Sequence, residues 1–147
     1  MPAYNPDAHK IGDVADQTGL SIRTLRHYED CGLVTPSDHT PGGFRLYTDD
    51  DITRIQQIQR MKPLGFTLQE IREFLDAVDI LHDRAGHDTK PPTAAHQAAA
   101  RDVLRRFQEE TTVRLADLHK QVQHADEFLA ELNPLIDKLD ENTLLPR

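Results

Sequence analysis

Two helical segments flank the short run Thr18-Gly19-Leu20-Ser21, an alternating strand follows a Pro/Gly-rich stretch, and an apolar seven-residue repeat runs through 93–132. Together these predict a mainly α chain: a winged helix-turn-helix domain followed by a long coiled-coil helix. At 147 residues the chain has about one domain's length, or a small domain plus a helical arm. The expected division is 8–80 for the winged domain, 81–92 for a linker, 93–132 for the long helix and 133–147 for a short terminal helix and tail.

Ile11, Val14 and Ala15 recur at helical spacing, and Gly19 suits the left-handed position that ends a helix. Ser21 is an N-cap candidate for a second helix over Ile22–Cys31, with Gly32 beyond its end. On that helix Ile22 and Leu25 are expected to face inward, with Arg23, Thr24 and His27 on the opposite side. Pro36, Pro41, Gly42 and Gly43 precede Phe44-Arg45-Leu46-Tyr47, which reads as the second strand of a hairpin wing. Thr48 with Asp51 opens a third helix carrying Ile52, Ile55, Ile58 and Met61 on one face, closed by Pro63 and Gly65. Thr67 with Glu70 is a capping box for a fourth, Leu68 to about Val78, with Ile71, Phe74 and Leu75 as its apolar stripe.

Gly86, Pro91 and Pro92 mark the linker. Beyond it a heptad register places Leu104, Thr111, Leu118, Ala125 and Leu132 at d, and Leu115, Val122 and Leu129 at a. Arg101 and Gln108 also fall at a, so the apolar seam is continuous from about Thr111. One narrow stripe cannot be buried on its own helix, so a second copy of the chain, parallel or antiparallel, is its simplest cover. Asn133-Pro134 reads as the end of this helix and the start of a short one through Leu135, Ile136 and Leu139.

Lys and Arg number 17 against 25 Asp and Glu, a net charge of −8. That excludes a protein coated in positive charge, and the deficit is shared: 8 against 12 in residues 1–78, 9 against 13 in 79–147. Any basic surface must be a local patch. The single cysteine, Cys31, rules out an intrachain disulfide and a Cys-only zinc site, and reads as a small packing residue. No long apolar run and no signal-like start occur, so a soluble cytoplasmic protein without membrane contact is expected. No Ser/His/Asp order, phosphate loop or zinc-hydrolase motif suggests an enzyme.

From Ile11 to Leu75 the motifs T-G-L-S-x-x-T-L-R-x-Y-E, G-L, G-F-R-x-Y and L-G-F-T-L-x-E-I follow in order. This stretch, about 65 of 147 residues, resembles the DNA-binding domain of MerR-family transcriptional regulators, and the long helix after it is similar to the family's dimerisation helix. The resemblance implies a homodimer on an inverted-repeat promoter operator that acts by distorting the DNA, with RNA polymerase as a further partner. Arg23, Thr24 and His27 would face the major groove, where Arg can pair bidentately with guanine and Thr can meet a thymine methyl. Ser21 belongs to the same helix entrance. Phosphate contacts are implied for Arg26, Tyr28, Arg45 and Tyr47, with Lys62 a weaker candidate. The residues alone leave open that Arg26 pairs with Asp30 and that Tyr28 packs in the core. His27 stands where the family more often has Tyr or Phe, and Phe44 where Tyr is commoner. An excisionase-like architectural protein and a helical interaction module that does not bind DNA are the alternatives.

No cofactor is expected. Thiolate sensing needs cysteines near the long helix, and none follows Cys31. His82 and His87 are five residues apart, as are His119 and His124, which misses the i,i+3 or i,i+4 spacing of a helical metal pair. A site of His82, Asp83, His87 and Asp88 in the linker, or a small organic effector beside it, stays open; His96 completes the histidines of this half.

Overall fold

A computed structural model gives the architecture and describes residues 8–82 and 93–144. In order, the elements are β1 (His9–Lys10), α1 (Ile11–Thr18), α2 (Ile22–Asp30), β2 (Asp38–His39), β3 (Arg45–Tyr47), α3 (Asp49–Met61), a 3-10 turn (Lys62–Leu64), α4 (Leu68–Leu81) and α5 (Ala94–Leu144). The chain divides into two compact units, one ending at Leu104 and the other beginning at Arg105, inside α5. That division lies inside the long helix, whose first turns carry the buried Ala100 and the half-buried Leu104. Positions 83–92 and 145–147, most of the expected linker and the end of the tail, lie outside the described residues.

Helix starts in the first unit follow the side chains identified as caps. Ser21 Oγ accepts from the Thr24 amide at 3.1 Å. Thr48 and Thr67 each close a full capping box, with Asp51 and Glu70 respectively. At the end of α1, Gly19 takes φ 74° and its amide donates to the Ala15 carbonyl, a backbone state that costs a residue with a Cβ about 1 kcal/mol or more. The α2 end is closed from outside: the Arg72 guanidinium of α4 donates to the Cys31 carbonyl, placing a cation where the helix dipole favours one.

The sheet has three antiparallel strands in the order β1-β3-β2, with His9 opposite Tyr47, Lys10 opposite Leu46, and Asp38 opposite Leu46. Only the β2-β3 hairpin was expected; β1 adds a third strand. The hairpin tip turns through Thr40-Pro41-Gly42-Gly43, with the Gly43 amide on the Thr40 carbonyl at 2.9 Å and Gly43 at φ 83°. Pro presets the turn and Gly supplies the left-handed step back into the strand.

The core of this unit is aliphatic. Val14, Leu25, Leu33, Val34, Leu46, Ile52, Ile55, Ile58, Met61, Ile71 and Leu75 are buried, joined by Tyr28, Tyr47 and Phe66. All four residues expected on the α3 face are there. Ile22 is the exception on α2: at 40% exposed it sits in the first turn, outside the packed face that Leu25 enters. Polar ties brace the core. Arg54 donates to the Leu33 carbonyl at 2.7 Å and grips Asp79 with one nitrogen on both carboxylate oxygens, linking α3, α4 and the loop after α2. Gln59 bonds the Thr18 carbonyl at the α1 end, at 2.7 Å.

The described residues of the second unit are all helix. The expected break at Asn133-Pro134 does not occur: α5 runs on to Leu144 with Pro134 inside it. In the heptad register Pro134 falls at f, opposite the seam. Its ring therefore disturbs the turn at Ala130, which is exposed, so water can serve the carbonyl deprived of its amide partner. The seam consequently extends to Ile136 at a and Leu139 at d, one heptad beyond the expected end.

Asp51 does more than close its capping box. Besides its capping box it is itself buried and accepts from the Ser37 amide at 3.1 Å and the Ser37 hydroxyl at 2.8 Å, fastening the loop before β2 to α3. Asp51→Ala is expected to cost about 2–4 kcal/mol in urea unfolding, against the roughly 1 kcal/mol of a lost helix cap alone. A loss no larger than that of a cap would show that the Ser37 bonds contribute nothing.

Candidate nucleic-acid interface

The α2 helix divides by face. Leu25 and the Tyr28 ring go into the core, while Arg23, Arg26 and His27 are exposed and Thr24 is half-buried. Ser21 stands at the entrance, its hydroxyl 2.9 Å from that of Thr24 and committed to capping. Among the described residues neither Arg23 nor Arg26 has a hydrogen-bond or ion-pair partner; the alternative Arg26-Asp30 pair does not form. Both guanidinium groups therefore present all their donors to solvent.

Beside this face lies the wing. A groove of about 700 Å³ runs between them, lined by Lys10 and the first turn of α1, by Arg26, and by Gly43, Phe44 and Arg45 at the wing. Lys10, Arg26 and Arg45 put three cations around it. Phe44 is 72% exposed, an aromatic ring at the wing with little to cover it. Lys10 and Phe44 were not singled out as contacts from the sequence, although Phe44 lies within G-F-R-x-Y and Lys10 directly precedes α1.

The two tyrosines differ. Tyr28 is buried as a ring, but its hydroxyl has no partner and no buried polar side-chain atom among the described residues lacks one, so that hydroxyl reaches the surface. Burial raises its pKa above the usual tyrosine value, which keeps it a neutral donor. Tyr47 is 1% exposed and its hydroxyl donates to Glu29 of α2 at 3.4 Å, so its ring packs in the core. Burial raises its pKa, and the Glu29 charge adds to the effect. Arg45 is half exposed and donates to the same Glu29 oxygen at 2.8 Å. Lys62 is exposed at the start of the 3-10 turn, with no bond tying it to α2 or the wing among the described residues.

Cys31 closes α2, half-buried and free, with its sulfur 3.7 Å from His27 Nε2. Among the described residues no group of three or more His, Cys, Asp or Glu side chains is placed to hold a metal ion. Asp83, His87 and Asp88 of the linker proposal lie outside those residues. No described helix is long and apolar enough to cross a membrane.

In the second unit the seam residues lie open. Leu115, Leu118, Val122 and Leu129 are exposed, as are Phe128, Leu135, Ile136 and Leu139; Ala125 is exposed too, while Thr111 and Leu132 are half-buried, as is the heptad residue Leu104 at the end of the first unit.

Comparison with known proteins places the first unit. Residues 9–78 match the family model described as MerR HTH family regulatory protein. The nodulation protein NolA of Bradyrhizobium sp. (strain NC92) is 46% identical over 74 residues, covering 50% of this chain and 31% of the relative. The HTH-type transcriptional activator mta of Bacillus subtilis (strain 168) is 48% identical over 68 residues, covering 46% of this chain and 26% of the relative. The matched stretch thus spans about a third or less of those relatives' length. Among solved structures, HiNmlR, described as a MerR family regulator lacking the sensor domain and bound to promoter DNA, aligns with a TM-score of 0.64 at 22% identity, covering 86% of this chain and 91% of that one. At that identity the likeness speaks for the fold, which is the winged helix-turn-helix followed by a long helix. Residues 9–78, a little under half of the chain, are thus similar to the MerR helix-turn-helix family over the whole of the winged domain.

Proposed function

We propose that the chain is a sequence-specific DNA-binding transcriptional regulator that acts as a homodimer on an inverted repeat in promoter DNA. The observation that carries this is the α2 face: two unpaired arginines, Arg23 and Arg26, with Thr24 and His27, on a helix whose other face is locked into the core by Leu25 and Tyr28. A helix held this way presents a fixed set of donors to the major groove, and the cation-lined groove beside it fits the phosphate strand. The net charge of −8 does not oppose this, because affinity follows the phosphates neutralised at the contact surface. NolA and mta, to which the first unit is similar, bear the names of a nodulation protein and a transcriptional activator, and HiNmlR was solved on promoter DNA. Distortion of the promoter and contact with RNA polymerase complete the reading.

The homodimer rests on the second unit. Eight apolar seam positions from Leu115 to Leu139 recur at heptad spacing, and at roughly 0.8 kcal/mol per buried CH2 their burial against a second copy is the main gain available to this helix. Double replacement Val122→Asp with Leu129→Asp is expected to convert a dimer into a monomer in sedimentation equilibrium at micromolar concentration; a wild-type monomer refutes the coiled-coil argument.

Incubating the purified protein with fragmented genomic DNA at near-physiological salt should enrich an inverted repeat between promoter elements. Absence of enrichment moves the interaction-module reading ahead. On the enriched site, Arg23→Ala should cost about 1–3 kcal/mol and relax preference at one base position, whereas Arg26→Ala should weaken all sequences alike and reduce the salt slope by about 1. A uniform loss with Arg23→Ala would make it a phosphate contact.

A further inference from the structure

Glu29 is an acidic residue placed among the groups that would meet phosphate. It follows Arg26 by one helical turn on α2, and its carboxylate accepts from Arg45 at 2.8 Å and from the Tyr47 hydroxyl at 3.4 Å, both on the same oxygen. Arg45 and Tyr47 are two apart on β3 and so share one face of the strand. The Glu29 side chain is 16% exposed, so its charge is largely withdrawn from water and held by these two donors. Among the described residues these are the hydrogen bonds between α2 and the wing. An anion here works against electrostatic affinity for DNA, since it offsets part of the Arg45 charge. Its return is orientation: one carboxylate fixes the wing strand to the helix and fixes the Arg45 fork, leaving the donors that do not face Glu29 directed elsewhere.

We propose that Glu29 is a positioning residue that sets the spacing between α2 and the wing, so that phosphate contact by Arg45 is available only when α2 is seated in its register on the bases. This rests on the DNA-binding reading above and adds a trade: general affinity is given up for discrimination. Removing the charge while keeping the shape reverses the trade. The freed Arg45 then follows phosphate on any duplex, and the link between wing position and helix position is lost.

The test uses the full chain, a duplex enriched by the wild-type protein from a random pool, and an unrelated duplex of equal length. For Glu29→Gln the unrelated duplex is expected to bind about 2–3-fold more tightly at low salt, and the enriched duplex about 10-fold more weakly. Tyr47→Phe, which removes one hydroxyl only, should shift both affinities the same way by less. In an Arg45→Ala background Glu29→Gln should no longer change the ratio of the two affinities. A merely structural role lowers both affinities together, and simple charge removal raises both; either outcome, with the ratio unchanged, overturns the positioning role and leaves the DNA-binding reading standing. A wild-type protein that enriches no sequence overturns that reading and this inference with it.

Discussion

β3 is three residues long, yet it bonds to a strand on each side and buries Leu46 and Tyr47, while Arg45 and Tyr47 reach across to α2. The orientation of the whole interface depends on this short strand. Its partner β1 runs directly into α1, so the pairing of Lys10 with Leu46 also places the first turn of α1 beside the wing. A two-stranded wing would be marginal by itself in water. The third strand and the buried Tyr47 turn it into part of the domain, which is why cations from three separate elements can border a single groove.

The polar ties outside the sheet serve the same end. Asp51 fastens the loop before β2 to the start of α3, and Arg54 fastens the loop after α2 to α3 and α4. Between them the segment joining α2 to the wing is held at both ends by buried or half-buried charge with its hydrogen bonds satisfied, the condition under which such groups rigidify rather than destabilise. In α5 the physics is different. The helix continues past Pro134 with the ring at f and the turn at Ala130 open to water.

Much of this was legible in the sequence because it is local. Ser21, Thr48 and Thr67 signal helix starts through bonds to amides three residues away, and Ile52, Ile55, Ile58 and Met61 signal a face through a period of 3.6. The exposed α2 face followed from the same period. What failed to be read is non-local or too short: a two-residue β1 has no periodicity to detect, and Ile22 satisfies the helical period yet lies outside the packed region. The burial of Ala100 in the first turns of α5 belongs to packing, which the Pro/Gly signals of the linker do not report.

By itself the sequence determined the succession of α1 to α4 with the β2-β3 hairpin between them, the caps that begin α2, α3 and α4, the winged helix-turn-helix class and the heptad spacing of apolar residues, since each depends on residues within one or two turns of one another. The tertiary structure alone decided what Tyr47, Arg45 and Glu29 touch. Their bonds join positions 16 and 18 apart in the chain, and a tyrosine becomes core or contact according to which neighbours the fold brings against its ring. It also decided that α5 continues through Pro134, because whether a proline breaks a helix depends on what its displaced carbonyl faces, and that is a property of the surface and not of the residue.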